Sequence, residues 1–142
     1  MDYLCDTNLM WRRLGLFNPD QFKISKAINT LLGDGHRIYI TSQNLIEYHA
    51  FATRPVLSNG LGLTPTKANQ VGRKIESAFS LLPETPDIYT NWRNLMEKYD
   101  VSGRPVHDAR LVAVMLTYGI THILTRNGAD FRRYDEITVV EI

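Results

Sequence analysis

Asp2-Tyr3-Leu4-Cys5-Asp6-Thr7-Asn8 is the stretch around which the rest of the chain is read. The apolar pair Leu4 and Cys5 runs straight into a carboxylate, a hydroxyl and an amide. That is the pattern of a buried strand whose last residues emerge into a polar site. The apolar run begins almost at the first residue, so the start of the chain is expected in the middle of a sheet rather than frayed. In open parallel sheets ligands sit beyond the carboxyl ends of the strands, which is where this reading puts Asp6.

Working outward, Met10 to Phe17 reads as irregular, and Asn18-Pro19 as an N-cap and first helical residue. The apolar face of the helix that follows is expected at Phe22, Ala27, Ile28, Leu31 and Leu32, with Gly33 and Gly35 stopping it. Arg37 to Ile40 is a second strand, and Thr41-Ser42 opens a second helix with Leu45, Ile46 and Ala50 inward and Glu47 at the edge of that stripe. The long connection over residues 54–64 has the length of a functional flap. Thr64-Pro65 and Thr85-Pro86 repeat the cap-plus-proline signal, with a short strand at Leu81-Leu82 between the two helices they open. Val106 to Tyr118 is apolar nearly all round and predicts a buried helix ended by Gly119. His122 to Leu124 and Ile137 to Val140 are the last strands, separated by a polar loop from Thr125 to Phe131.

Strands alternating with helices imply a parallel sheet, and helices that return between parallel strands run antiparallel to them. Their N-termini therefore face the rim where strands end. Asp6 ends the first strand, Glu47 lies early in the helix after the second, Asp108 opens the buried helix, and Asp130 follows the fourth strand. Each has an ordinary reading taken singly: a cap, a solvated residue, a dipole partner, a turn former. Together they define a site. Clustered carboxylates repel, so such a pocket takes up protons or a hard cation, and all-oxygen ligands point to Mg²⁺ or Mn²⁺. Thr7, Asn8, Thr125 and Asn127 are candidates to hold waters or orient ligands, and Arg12, Arg104 and Arg126 for phosphate contacts.

At 142 residues, 44% apolar and 22% charged, the chain is expected to be one domain spanning 1–142. No run approaches the roughly 20 apolar residues that cross a bilayer, and the first residues lack the order of a signal peptide, so no membrane contact and a cytoplasmic location are expected. The single Cys5 fits a reducing compartment, and His36, His49, His107 and His122 lack zinc-site spacing. Setting the four rim acids aside, the 16 basic residues outnumber the remaining acids, which suits a polyanion held over a metal.

Leu4-Cys5-Asp6-Thr7-Asn8, Glu47 just after the second strand, His107-Asp108-Ala109, and the run from Leu124 through Thr125, Arg126, Asn127 and Asp130 to Phe131 together resemble the PIN domain. The likeness is greatest to the VapC-type ribonuclease toxins of toxin-antitoxin pairs and covers Asp2 to Val140. It implies a three-layer α/β/α fold with a mostly parallel central sheet of about five strands. It also implies that Asp6, Glu47, Asp108 and Asp130 bind Mg²⁺ or Mn²⁺ and cut RNA to 5′-phosphate and 3′-hydroxyl ends. Two protein partners are implied, a second copy and an antitoxin with an apolar segment and a basic side chain. Trp11, Phe17, Phe51, Val56, Leu57, Leu61 and Leu63 are the apolar residues expected to meet them. Where some members carry a further Asp this chain has Asn127, which leaves one-metal and two-metal mechanisms open. A structure-dependent DNA nuclease, a phosphate-receiver signalling domain and a non-cutting RNA scaffold are the alternatives the residues allow.

Overall fold

The computed structural model describes residues 1–12 and 20–142. Strands β1 (Asp2–Cys5), β2 (Arg37–Thr41), β3 (Ser80–Leu82), β4 (His122–Thr125) and β5 (Thr138–Glu141) form one sheet in the order β3-β2-β1-β4-β5. Every neighbouring pair is parallel, as the alternation of strands and helices led one to expect. The helices are α1 (Thr7–Met10), α2 (Asp20–Gly33), α3 (Ser42–Thr53), α4 (Pro65–Ala78), α5 (Pro86–Tyr99) and α6 (Pro105–Tyr118). The Asn18-Pro19 cap signal lies outside the described residues.

Period-two alternation along the central strands feeds two separate cores, as a sheet covered on both faces requires. Tyr3, Cys5, Ile38, Ile40 and Leu124 face a cluster completed by Leu9, Met10, Ile28, Tyr48 and Ile75 from the helices. Leu4 and Ile123 point the other way, onto Ile88, Leu95 and the continuous buried run Leu111 to Met115. The result is the three-layer α/β/α arrangement. Helix α6 stops where Gly119 turns left-handed at φ 69° and its amide caps the carbonyls of Met115 and Leu116.

Some local expectations give way to tertiary contacts. The chain after Asp6 is helical at once, as α1, with Asp6 as its N-cap. Trp11 is only 5% exposed, so it belongs to the core rather than to a docking surface. Helix α2 turns Ile24 and Ile28 inward and leaves Phe22 79% exposed. In α3 the inward face is Asn44, Tyr48 and Ala52, while Ile46 is 69% exposed and Ala50 also faces out. A capping box sets that rotation: Thr41 Oγ1 accepts from the Asn44 amide at 3.1 Å, and the Asn44 side chain accepts from the Thr41 amide at 2.8 Å. One turn on, the Tyr48 hydroxyl donates to the Ala68 carbonyl at 3.2 Å.

The 54–64 connection is closely built. It holds a 3-10 turn at Val56–Ser58, and the amides of Leu61, Gly62 and Leu63 donate to Phe51, Arg54 and Ala52 carbonyls. Phe51, Leu61 and Leu63 pack against the core, and Val56 and Leu57 remain outside at 70% and 100% exposure. Phe17 lies outside the described residues.

Candidate active site

The strand order places β1 at the centre: the chain steps outward through β2 to β3, then crosses over to β4 and β5 on the other side. The crevice at such a reversal, between β1 and β4, is where open α/β sheets bind ligands. Asp6 stands there. Its amide donates to the Leu124 carbonyl of β4 at 2.8 Å, stitching the two strands together at their ends. One carboxylate oxygen accepts from the Thr7 amide at 2.7 Å and the other from the Thr125 hydroxyl at 2.8 Å. Thr125, fully buried, is itself oriented by the Asn127 amide, which donates to its Oγ1 at 3.0 Å. Two of the expected ligand-orienting residues thus act on Asp6.

Glu47 faces the same space from α3. Thr7 Oγ1 donates to its Oε2 at 2.9 Å, and Gln43 Nε2 donates to its Oε1 at 2.7 Å. The Asn44 amide group holds Thr7 in turn, at 2.9 Å. Asp130, in the 3-10 turn Gly128–Asp130, accepts from Asn127 Nδ2 at 2.9 Å. Asp108 sits in the first turn of α6. Asn8 Oδ1 is enclosed and has no hydrogen-bond partner among the described residues.

The four expected acids share one electrostatic field. Burial pushes the Asp6 carboxyl up from 3.8 to about 6 against the pull of the Thr125 and Thr7 hydrogen bonds, and the charges of Glu47 and Asp130 add to the rise. Asp108 is raised from 3.8 to about 7, first by burial, then by Asp6, Asp130 and Glu47, with Arg104 the opposing positive charge. Burial is the shared leading cause, and the negative charge of the neighbouring acids adds to it. Among the described residues, no three His, Cys, Asp or Glu side chains converge into a ready-formed metal cage. A hard divalent cation nonetheless fits the residues present. The donors are carboxylate oxygens, and their mutual repulsion has little protein counter-charge.

The arginines divide. Arg104 and Arg126 are exposed near the rim. Arg12 is turned back on its own segment: its Nε donates to the Asn8 carbonyl at 2.7 Å and its guanidinium lies 4.4 Å from the centre of the Trp11 ring. Sequence reasoning did not single out Gln43 or Asn44. The capping spacing from Thr41 to Asn44 was a usable signal for the second, and nothing local marks the first.

These features define a class of protein, a parallel α/β/α domain that gathers four acids and neutral hydrogen-bonding side chains over its switch point. The PIN domain profile matches residues 3–137, and the chain belongs to the PIN domain family, a family of nucleases that act on phosphodiester bonds. Solved structures share the fold at low identity. VapBC2 from Rickettsia felis, bound to a DNA fragment from its promoter, is 13% identical over 100% of this chain and 99% of that chain, with a TM-score of 0.75. DNA-bound VapBC from Salmonella typhimurium is 17% identical over 99% and 98%, TM-score 0.71. FitAcB from Neisseria gonorrhoeae is 15% identical over 98% and 96%, TM-score 0.64. No curated protein sequence matches the chain.

Proposed function

We propose that this chain is a divalent-metal-dependent endoribonuclease, a single catalytic domain over 1–142, and the toxin of a cytoplasmic toxin-antitoxin pair. The observation that carries the reading is the buried Asp6 at the β1/β4 switch point, its carboxyl raised to about 6 in the field of the other rim acids. Asp6, Glu47, Asp108 and Asp130 would hold Mg²⁺ or Mn²⁺. A cation there supplies Lewis acidity toward a phosphodiester and lowers the pKa of an attacking water. Thr7 and Thr125 fix the Asp6 carboxylate and Asn127 aims Asp130, and the exposed Arg104 and Arg126 would contact the phosphates. Arg12 holds the turn after Asn8 instead.

The toxin role is supported by family membership together with the fold shared with structures described as toxin-antitoxin complexes. Exposed Val56 and Leu57 favour protein partners, a second copy and an antitoxin whose basic side chain would neutralise the same carboxylates.

The test is direct cleavage. Purified protein is incubated with RNA and, in parallel, single- and double-stranded DNA, with Mg²⁺, with Mn²⁺ and with excess EDTA, and the product ends are sequenced. The expected result is metal-dependent cutting of RNA to 5′-phosphate ends, lost in Asp6→Asn. Full activity in EDTA sinks the metal mechanism, and cutting confined to DNA sinks the ribonuclease reading.

A further inference from the structure

Gln43 lies one turn before Glu47 on the same face of α3, and its side-chain amide is the meeting point of three elements. Its Nε2 donates to Glu47 Oε1 at 2.7 Å and to the His107 carbonyl at 2.7 Å, one residue before Asp108. Its Oε1 accepts from Arg110 Nη1 at 3.1 Å. A guanidinium carries only donors, so an inverted Gln43 amide would set N–H against N–H. Arg110 therefore dictates which end of the amide faces Glu47. Arg110 is itself held: its Nη2 lies 2.6 Å from Glu84 Oε2, and the Ser42 hydroxyl donates to the other oxygen of Glu84.

We propose that Gln43 is a positioning residue that couples Glu47 to the first turn of α6, and so to Asp108, with Arg110 acting through it. The proposal rests on the nuclease reading above. Both oxygens of Glu47 receive hydrogen bonds from neutral donors, Gln43 and Thr7. Neutral donors orient a carboxylate without cancelling its charge, which leaves that charge for a cation. Arg110 in direct contact would cancel it. Glu84 pairs with the guanidinium, and the amide stands between it and Glu47.

The test compares wild type, Gln43→Met, Arg110→Met, the double variant and Asp6→Asn as full chains. Three quantities are measured: Mn²⁺ affinity by electron paramagnetic resonance, kcat and KM on RNA, and melting temperature in EDTA. Gln43→Met keeps the length of the side chain and removes its hydrogen bonds. Partners of metal ligands typically set affinity by about 10- to 100-fold. Gln43→Met is therefore expected to weaken Mn²⁺ by about 10-fold and to lower kcat with KM unchanged. Its metal-free melting temperature should stay within about 2 °C of wild type, a shift that corresponds to well under 1 kcal/mol for a domain of this size. Arg110→Met weakens Mn²⁺ in the wild-type background and adds nothing in the Gln43→Met background. Unchanged Mn²⁺ affinity in either single variant, or additive losses in the double, overturns the proposal. If wild type has no Mn²⁺ site that Asp6→Asn removes, the nuclease reading falls and this proposal with it.

Discussion

Asp6 is 7% exposed and carries more of the site than any other residue, because the same side chain caps α1, bridges β1 to β4 and faces the other acids. Asp6→Asn and Asp108→Asn are each expected to keep the fold and to slow RNA hydrolysis by 100-fold or more, about 3 kcal/mol of transition-state stabilisation, measured as kcat/KM under Mg²⁺. The pH dependence of stability has a definite sign. Asp6 titrates near 3.8 when unfolded and at about 6 when folded, so between these values the native state binds more protons than the unfolded one. Stability then falls as pH rises through that window, by about 3 kcal/mol for a shift of this size, and the loss is complete above it. Asp108, raised to about 7, extends the same slope upward. Urea titrations in EDTA at pH 4, 5.5 and 7.5 are expected to show Asp6→Asn gaining on wild type as pH rises. A large fall in Asp6→Asn stability at pH 7.5 would make Asp6 structural instead. A saturating divalent cation should reverse the trend in wild type, because ligand bound only to the native state adds stability.

At the scale of elements, the 54–64 connection and α3 carry the informative contrasts. Gly60 is pressed against the main chain of Arg54, where an added Cβ would overlap the backbone carbonyl. Gly60→Ala is expected to cost about 2 kcal/mol, since backbone, unlike a flexible side-chain tip, must move as a unit. Leu57, fully exposed within its own copy, predicts the opposite: in the monomeric chain Leu57→Ser should change urea stability by less than about 0.5 kcal/mol and leave RNA cleavage unaltered. A loop so held is a preformed surface, and a loss of stability in Leu57→Ser at concentrations that keep the chain monomeric would show that this tip packs within its own copy. In α3, burial of Asn44 rather than Ile46 or Ala50, with Leu45 partly packed against the core, displaces the apolar stripe from the face that periodicity alone selects, which brings Gln43 and Glu47 to the site.

For the whole molecule, the exposed apolar residues and the acid-lined rim lead to one statement about association. Light scattering at micromolar concentration is expected to give a dimer. A co-encoded small protein with a basic, apolar segment should bind, with affinity lowered by excess Mg²⁺ and by Glu47→Gln, because cation and basic side chain compete for the same carboxylates. A strict monomer indifferent to any such partner would retire the toxin reading while leaving nuclease chemistry open. No helix among the described residues is long and apolar enough to cross a membrane.

Much of this architecture follows from the sequence alone. Strand and helix alternation, cap-plus-proline starts at Thr64-Pro65 and Thr85-Pro86, and the buried run Leu111 to Met115 are local patterns that burial and backbone chemistry impose directly. The common rim of Asp6, Glu47, Asp108 and Asp130 also follows, because parallel strands and returning helices leave those positions only one end of the sheet. Tertiary structure decided the rest. Strand order is a long-range property, and only the placing of β4 beside β1 puts Thr125 against Asp6, 119 positions apart in the chain. The inward face of α3, the burial of Trp11 and the Gln43 amide joining Glu47, His107 and Arg110 likewise depend on partners distant in sequence. A side chain's own periodicity states how apolar its neighbours are along the helix. Which polar groups it meets across the fold is set by packing, and the site is made of those meetings.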